Sequence, residues 1–310
     1  MILLFFSYFF ELIGILIGVA FLVLLERKVL GYVQDRKGPN KVFFLGIFQP
    51  FSDAIKLFIK ENIKLLKANI FFYLASPMVG FIIVIILILG LPMRVNVYSI
   101  NIFILYLISC LRMGVYIILM RRWSSNSNYS MLGGLRSISQ SLSYEVSIFL
   151  IFFVIFNYIE SFQLIDFIKY QKFISFWYVN LIIMLVLFIS LIAELNRIPF
   201  DFIEGESELV SGFNVEYIRV RFTFIFLAEY IIILVVGIFF IIIFYGSSLF
   251  YFINLFYVII FGILMILIRG SLPRIRYDNL MYFCWYYILA FSIIILFFII
   301  LFKIYLYNIF

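Results

Sequence analysis

The chain has 310 residues, of which 66% are apolar, 22% aromatic and only 13% charged, with a mean hydropathy of +1.21. Soluble domains average about 45–50% apolar and about 25% charged, so a water-soluble globule is excluded and the chain reads as one integral membrane domain over residues 1–310. With no histidine anywhere, bis-histidine haem, histidine-bound copper and histidine zinc sites are excluded as well.

The N-terminus is apolar from Ile2 onward, without a basic n-region or a small-residue cleavage site. Neither a secretory signal nor an Arg-rich transit peptide fits, and insertion where the chain is made is expected. The abundance of Phe, 42 residues against 7 Ala, hints at an AT-rich gene of the kind found in organelles. Crossing a hydrocarbon core of about 30 Å takes about 20 apolar residues. Eight such runs are read, at roughly 2–25, 70–92, 100–120, 142–160, 174–195, 222–244, 250–268 and 284–306, which makes the expected fold an all-α polytopic bundle. Gly14-x-x-x-Gly18 in the first run reads as a packing notch. Cys110 and Cys284 read as reduced thiols among apolar side chains, and Gly133-Gly134 as a tight turn. No Gly-x-Gly-x-x-Gly or Walker pattern occurs, so no nucleotide is placed on the chain.

Loop charges set the orientation. The odd-numbered loops carry 18 Lys/Arg and the opposite side 4, namely Arg94, Lys169, Lys172 and Lys303, with Arg112 inside the third run. The odd loops therefore face the negative, matrix-like compartment and the termini face the other side. Most of the net charge of +7 is this topological signal rather than a nucleic-acid surface.

The first loop does more than connect. From Ser52 to Lys67, Ile55, Phe58, Ile59, Ile63 and Leu66 recur at helical spacing. Lys56, Lys60, Lys64 and Lys67 fall on the other face, and Gln49-Pro50 forms a start signal. The pattern is an interfacial amphipathic helix, either a surface anchor or the lip of a lipid-accessible opening. In the fifth loop, Glu194, Asp201, Glu204, Glu206, Glu208 and Glu216 share a stretch with one cation, Arg197, on the side that is otherwise basic. Crowded, partly buried acids hold protons more tightly than free ones, which suits groups that exchange them near neutral pH. Gly205 breaks any helix there. Glu145 and Glu229 lie within or at the edge of runs, where a charge costs about 2.5–3.5 kcal/mol and usually lines a polar path. Together with the loop they suggest a water-linked proton relay.

These residues resemble a known family. Leu25-Glu-Arg-Lys-Val-Leu-Gly-Tyr-Val-Gln-Asp-Arg-Lys-Gly-Pro-Asn40 and Gln49-Pro-Phe-Ser-Asp-Ala-Ile-Lys-Leu57 are similar to the first matrix loop of the chain-1 membrane subunits of mitochondrial NADH–ubiquinone oxidoreductase, respiratory complex I. Trp123-Ser-Ser-Asn-Ser-Asn-Tyr129, Leu132-Gly-Gly-Leu-Arg136 and Ser143-Tyr-Glu-Val146 resemble its third loop. Asn196-Arg197, Pro199-Phe-Asp-Phe202 and Glu204-Gly-Glu-Ser-Glu-Leu-Val-Ser-Gly-Phe-Asn-Val-Glu-Tyr217 resemble its fifth, and Leu272-Pro-Arg-Ile-Arg-Tyr-Asp278 completes the colinear match. The resemblance implies a subunit of proton-translocating NADH:ubiquinone reductase in the mitochondrial inner membrane, with ubiquinone as substrate. It implies contacts with other membrane subunits, with the quinone-reducing subunits of the peripheral arm and with lipids. Haem, metal, flavin and nucleotide would belong elsewhere in the complex. Carried over, Arg27, Gln34, Arg36, Arg197 and Arg276 would lie near the quinone, where cations suit charge developing on its oxygens. Glu145, Glu194, Asp201, Glu204, Glu206, Glu208, Glu216 and Glu229 would form the proton path.

The sequence departs from the family at Arg112, Arg121, Arg122, Arg219 and Arg221, where small residues are usual, and at Tyr286 and Ala290, where Lys and Pro are. Arg112 has no obvious local partner. The five arginines either pair with carboxylates or are serines, since some mitochondria read AGA and AGG as Ser. A secondary transporter would instead show inverted repeats with broken helices in matching halves, and no such repeat is seen. A purely structural anchor for a soluble arm would leave the carboxylates without a role.

Overall fold

In the structure, a computed structural model, residues 2–61, 68–91, 102–172, 174–201, 217, 220–246 and 252–309 are described. Among them the chain is helical, without strands. The helices are α1 (Ile2–Val33), α2 (Gln49–Ile59), α3 (Ile70–Leu89), α4 (Phe103–Ser125), α5 (Asn128–Ile159), α6 (Leu164–Tyr170), α7 (Phe176–Val179), α8 (Leu181–Glu194), α9 (Val220–Tyr245), α10 (Phe252–Ser271), α11 (Tyr277–Tyr282) and α12 (Ala290–Ile309). Among the described residues, six helical stretches are long and apolar enough to cross a bilayer, and α8 and most of α10 form two shorter apolar ones. The chain is thus a polytopic membrane helix bundle.

Helix α9 is the axis of the bundle. Its residues Val235, Phe239 and Ile242 are fully buried, and it packs against α1, α3 and α10. The approach to α10 is close because Gly237 has no side chain: a Cβ there would stand 2.8 Å from the Phe261 ring. A second group forms around α5, which packs on α4, α8 and α12, and the α3–α4 contact joins the two. Of the expected packing notch only Gly18 is used, against Leu234 at 3.8 Å, while nothing lies within 4 Å of a Cβ at Gly14.

Several boundaries differ from the sequence reading, each for a physical reason. The first helix continues to Val33, past the run expected to end at residue 25, because a helix needs no apolar residues once it leaves the lipid. At about 48 Å for 32 residues it is longer than the hydrocarbon core. Helix α5 begins at Asn128 rather than near 142. Its first half is polar, but the hydroxyls of Ser137, Ser141 and Ser143 bond to the carbonyls of Gly134, Ile138 and Gln140, three residues back in each case. Those hydroxyls are satisfied inside the helix itself, so the segment can be buried despite its low hydropathy. Gly133-Gly134 consequently lies within α5 and is not a turn. The run at 174–195 is interrupted at Asn180, between α7 and α8. The last run starts earlier, as α11 leads through a π-helical turn, Phe283–Leu289, into α12.

The amphipathic helix is present as α2, Gln49–Ile59, and residues 62–67 of the expected segment lie outside the described residues. It packs on α1 and α9 and is pinned by Asp53, which accepts an ion-paired bond from Arg27 of α1 and a 2.9 Å bond from the Gln49 side chain. Ile55, Phe58 and Ile59 remain exposed, so the apolar face of α2 points away from the rest of the chain.

Candidate functional site

Between the two helix groups lies a cavity of about 290 Å3. Apolar residues of α3 and α4, among them Val84, Leu87 and Val115, form one wall, and α9 forms another from Phe222 to Ile232. The polar wall is made by the turn after α8, which contributes Glu194, Asn196, Arg197 and Asp201, with Glu229 and Tyr230 of α9 and Arg269 of α10.

The turn is what brings these groups together. Helix α8 ends as Asn196 adopts φ +50°, a left-handed conformation that asparagine tolerates better than most residues. The chain then closes a tight turn, with the Phe200 amide donating to the Arg197 carbonyl at 2.8 Å. A bond from the Ile275 amide to the Pro199 carbonyl at 3.1 Å ties the turn to the segment before α11. Asp201, directly after the turn, is buried.

Arg197 leads to a residue the sequence reading did not single out. Its guanidinium lies 4.5 Å from the centre of the Tyr230 ring and 3.5 Å from the carboxylate of Glu26 on α1. Glu26 is only 5% exposed and also accepts bonds from the Tyr230 hydroxyl and from Arg269. One buried carboxylate therefore ties α1, α9, α10 and the turn after α8 together, with two guanidiniums and a phenol around it. Glu26 lies on the buried face of α1, seven positions and two helical turns after the buried Val19.

Of the quinone-side candidates, Arg197 alone lines the cavity. Arg27 is held by Asp53, Gln34 and Arg36 are exposed beyond the end of α1, and Arg276 is exposed and paired with Asp278 at 2.9 Å. Of the proton-path candidates, Glu194, Asp201 and Glu229 line the cavity. Glu145 lies one helical turn beyond Ser141, which also lines it, and interacts electrostatically with Glu194. Glu204, Glu206, Glu208 and Glu216 lie outside the described residues. Tyr217, just past them, is fully buried. Its ring stacks on Tyr73 at 4.5 Å and its hydroxyl donates to the Arg121 carbonyl at 3.1 Å, which fixes the downstream end of the acidic segment against α3 and α4.

The unusual arginines have specific places. Arg112, which has no obvious partner near it in sequence, pairs in space with Glu145 on the adjoining helix. Arg221 sits 4.9 Å over the Tyr73 ring, and Arg219 is outside the described residues. Arg121 and Arg122 are buried side by side on α4 at the cavity wall. The Arg121 guanidinium is packed where a Cβ on Gly80 would stand, 2.5 Å from it, and its Nε has no hydrogen-bond partner among the described residues. Neighbouring Ser124 and Ser125 satisfy their hydroxyls on carbonyls three residues back, as a serine at either arginine position could. Peptide mass spectrometry over residues 112–136 is therefore expected to find serine at 121 and 122, whereas the pairing of Arg112 with Glu145 fits an arginine at 112. Arginine at 121 and 122 would mean that the cavity wall carries two further cations.

Fold and site together define a class: a polytopic helical membrane protein whose buried chamber is lined by carboxylates and guanidiniums. The NADH dehydrogenase family model matches residues 6–300. NADH-ubiquinone oxidoreductase chain 1 of Aedes aegypti is 46% identical over 294 residues, covering 93% of this chain and 94% of the relative. The proteins of the same name from Anopheles gambiae and Locusta migratoria are each 46% identical over 91% and 88% of this chain, and 90% and 87% of their own lengths. The chain belongs to the NADH dehydrogenase family.

Proposed function

We propose that this chain is a core membrane subunit of proton-translocating NADH:ubiquinone oxidoreductase in the mitochondrial inner membrane, a single membrane domain that couples quinone reduction to proton transfer. The observation that carries the reading is the cavity, in which Glu194, Asp201 and Glu229 converge with Arg197, Tyr230 and Arg269. Quinone reduction consumes protons and develops negative charge on the quinone oxygens. Cations stabilise that charge, and carboxylates linked through water supply the protons. The cavity volume of about 290 Å3 suits a ring-sized group or a short water chain. Ubiquinone would enter past α2, whose outward apolar face suits lipid, with Arg27, Gln34 and Arg36 at the rim. Arg276 would stand on the same aqueous side. Glu204, Glu206, Glu208 and Glu216 would extend the carboxylate path, and Glu145 would continue it into the bilayer.

In this reading the chain crosses the membrane eight times, with odd loops toward the matrix and both termini toward the intermembrane space. Aromatic side chains favour both membrane interfaces, and in this placement the stacked Trp177, Tyr245 and Tyr257 and the stacked Tyr282 and Tyr286 would lie at opposite ones. NADH, flavin and iron–sulfur clusters would be held by the peripheral-arm subunits, and the remaining outer surface would meet other membrane subunits and lipid.

The test is Glu229→Gln in the assembled complex, with NADH-driven quinone reduction and proton uptake measured in sealed vesicles. Fewer protons moved per electron, with the complex assembled normally, supports the reading. An unchanged ratio for this variant and for the corresponding change at Asp201 would leave only a structural anchor.

A further inference from the structure

Gln140 is not among the residues that line the cavity. It lies in the polar half of α5 and is completely buried, and its side-chain nitrogen donates two hydrogen bonds of 3.0 Å, one to the Ala193 carbonyl and one to the Phe200 carbonyl. Those acceptors are seven residues apart, on either side of the turn after α8. Each carbonyl belongs to the peptide unit that leads into a cavity carboxylate: Ala193 C=O to the amide of Glu194, and Phe200 C=O to the amide of Asp201. A peptide unit is planar and rigid, so holding its oxygen also holds the Cα that follows. One amide group thus fixes the starting points of two acidic side chains at once. Among uncharged side chains only an amide carries two donors on a single nitrogen, so neither a hydroxyl nor an apolar residue of the same length could do this.

We propose that Gln140 is a positioning residue that sets the spacing of Glu194 and Asp201 across the cavity and thereby the passage of protons between them. The inference rests on the chamber reading given above. If Gln140 did no more than satisfy two buried carbonyls, it would matter for folding alone, and the test must separate the two roles.

Gln140→Leu keeps the bulk and removes both donors. Gln140→Glu keeps the shape: an ionised carboxylate offers no donor to the two carbonyls, whereas the protonated acid offers one. Both variants are measured in the assembled complex for content, quinone reduction and proton transfer. The expected result is normal content with proton transfer reduced about 10–100-fold, since two buried hydrogen bonds are lost and each is worth up to about a factor of ten. Relative to the unsubstituted complex at the same pH, Gln140→Glu is expected to recover severalfold as the pH is lowered from the alkaline range in which its buried carboxyl ionises, and Gln140→Leu not at all. If the leucine variant fails to assemble, the pH profile of the glutamate variant decides. Undiminished proton transfer in both variants, or equal losses without recovery at lower pH, would overturn the positioning role. Glu194→Gln serves as the control. A defect there with unaffected Gln140 variants overturns this inference alone, while no defect there overturns the chamber reading and this inference with it.

Discussion

Replacing Glu26 with alanine is expected to destabilise the chain by about 3–5 kcal/mol, the usual result of removing one partner from a buried charge cluster. The reason is geometric. Arg269 and Arg197 both direct guanidinium groups at this one carboxylate, and the Tyr230 hydroxyl donates to it as well. Without it, two cations and a phenol are left around a buried position with no counter-charge, and α1 loses its polar tie to α9 and α10. Glu26→Gln keeps the shape but removes the charge and introduces a donor among donors, so it is expected to lie between alanine and the native residue. The measurement is the amount of assembled complex by native electrophoresis together with its thermal midpoint. Native levels and an unshifted midpoint for both variants would show that the cluster contributes nothing to the fold.

The second large effect is expected at Glu194, and it is functional rather than structural. Glu194 ends α8 and lines the cavity, and one of its carboxylate oxygens is buried without a hydrogen-bond partner among the described residues. An acid held this way adds little to stability, since exchanging it for an amide of the same shape strands no opposite charge. Glu194→Gln is therefore expected to assemble normally. It cannot take up or release a proton, however, and positioned acid–base groups contribute about 10²–10⁴-fold to rates that depend on them. Proton transfer coupled to quinone reduction is expected to fall by a factor in that range. The inverse pattern, poor assembly with intact coupling in the remaining complex, would make Glu194 a structural residue.

The two residues also show what a linear sequence can and cannot reveal. Hydropathy was enough to show a polytopic helical membrane chain, with six of the described helical stretches long and apolar enough to cross a bilayer, because lipid selects for apolar length directly. It misjudged α5, whose serines satisfy their own helix and so make a polar segment buriable, and it could not register the break at Asn180. The acidic cluster was legible as a cluster because its members are neighbours in sequence, and the structure brings Glu194 and Asp201 together with Glu229. Glu26 was hidden by its setting. It stands beside Arg27 and Lys28 and reads as the start of a basic loop, while its partners Arg197, Tyr230 and Arg269 lie far along the chain. Arg112 and Glu145, 33 residues apart, and Gln140 with its two carbonyls, 53 and 60 residues away, were out of reach for the same reason: local patterns carry no information about which distant backbone group will need a donor. Arg27, Gln34, Arg36 and Arg276, named through resemblance, lie on the surface of this chain rather than in its cavity. A role for them would be completed by whatever covers that face in the complex.

The central proposal is that a quinone meets this chain at the cavity behind the turn after α8. Photoaffinity labelling of native membranes with a reactive quinone analogue, followed by peptide mapping of this chain, tests it most directly. Label on residues 194–201 or 222–232, or at the rim between Arg27 and Lys60, that excess unreactive quinone removes is the predicted result. Competable label confined to partner subunits, with none on this chain, would contradict it.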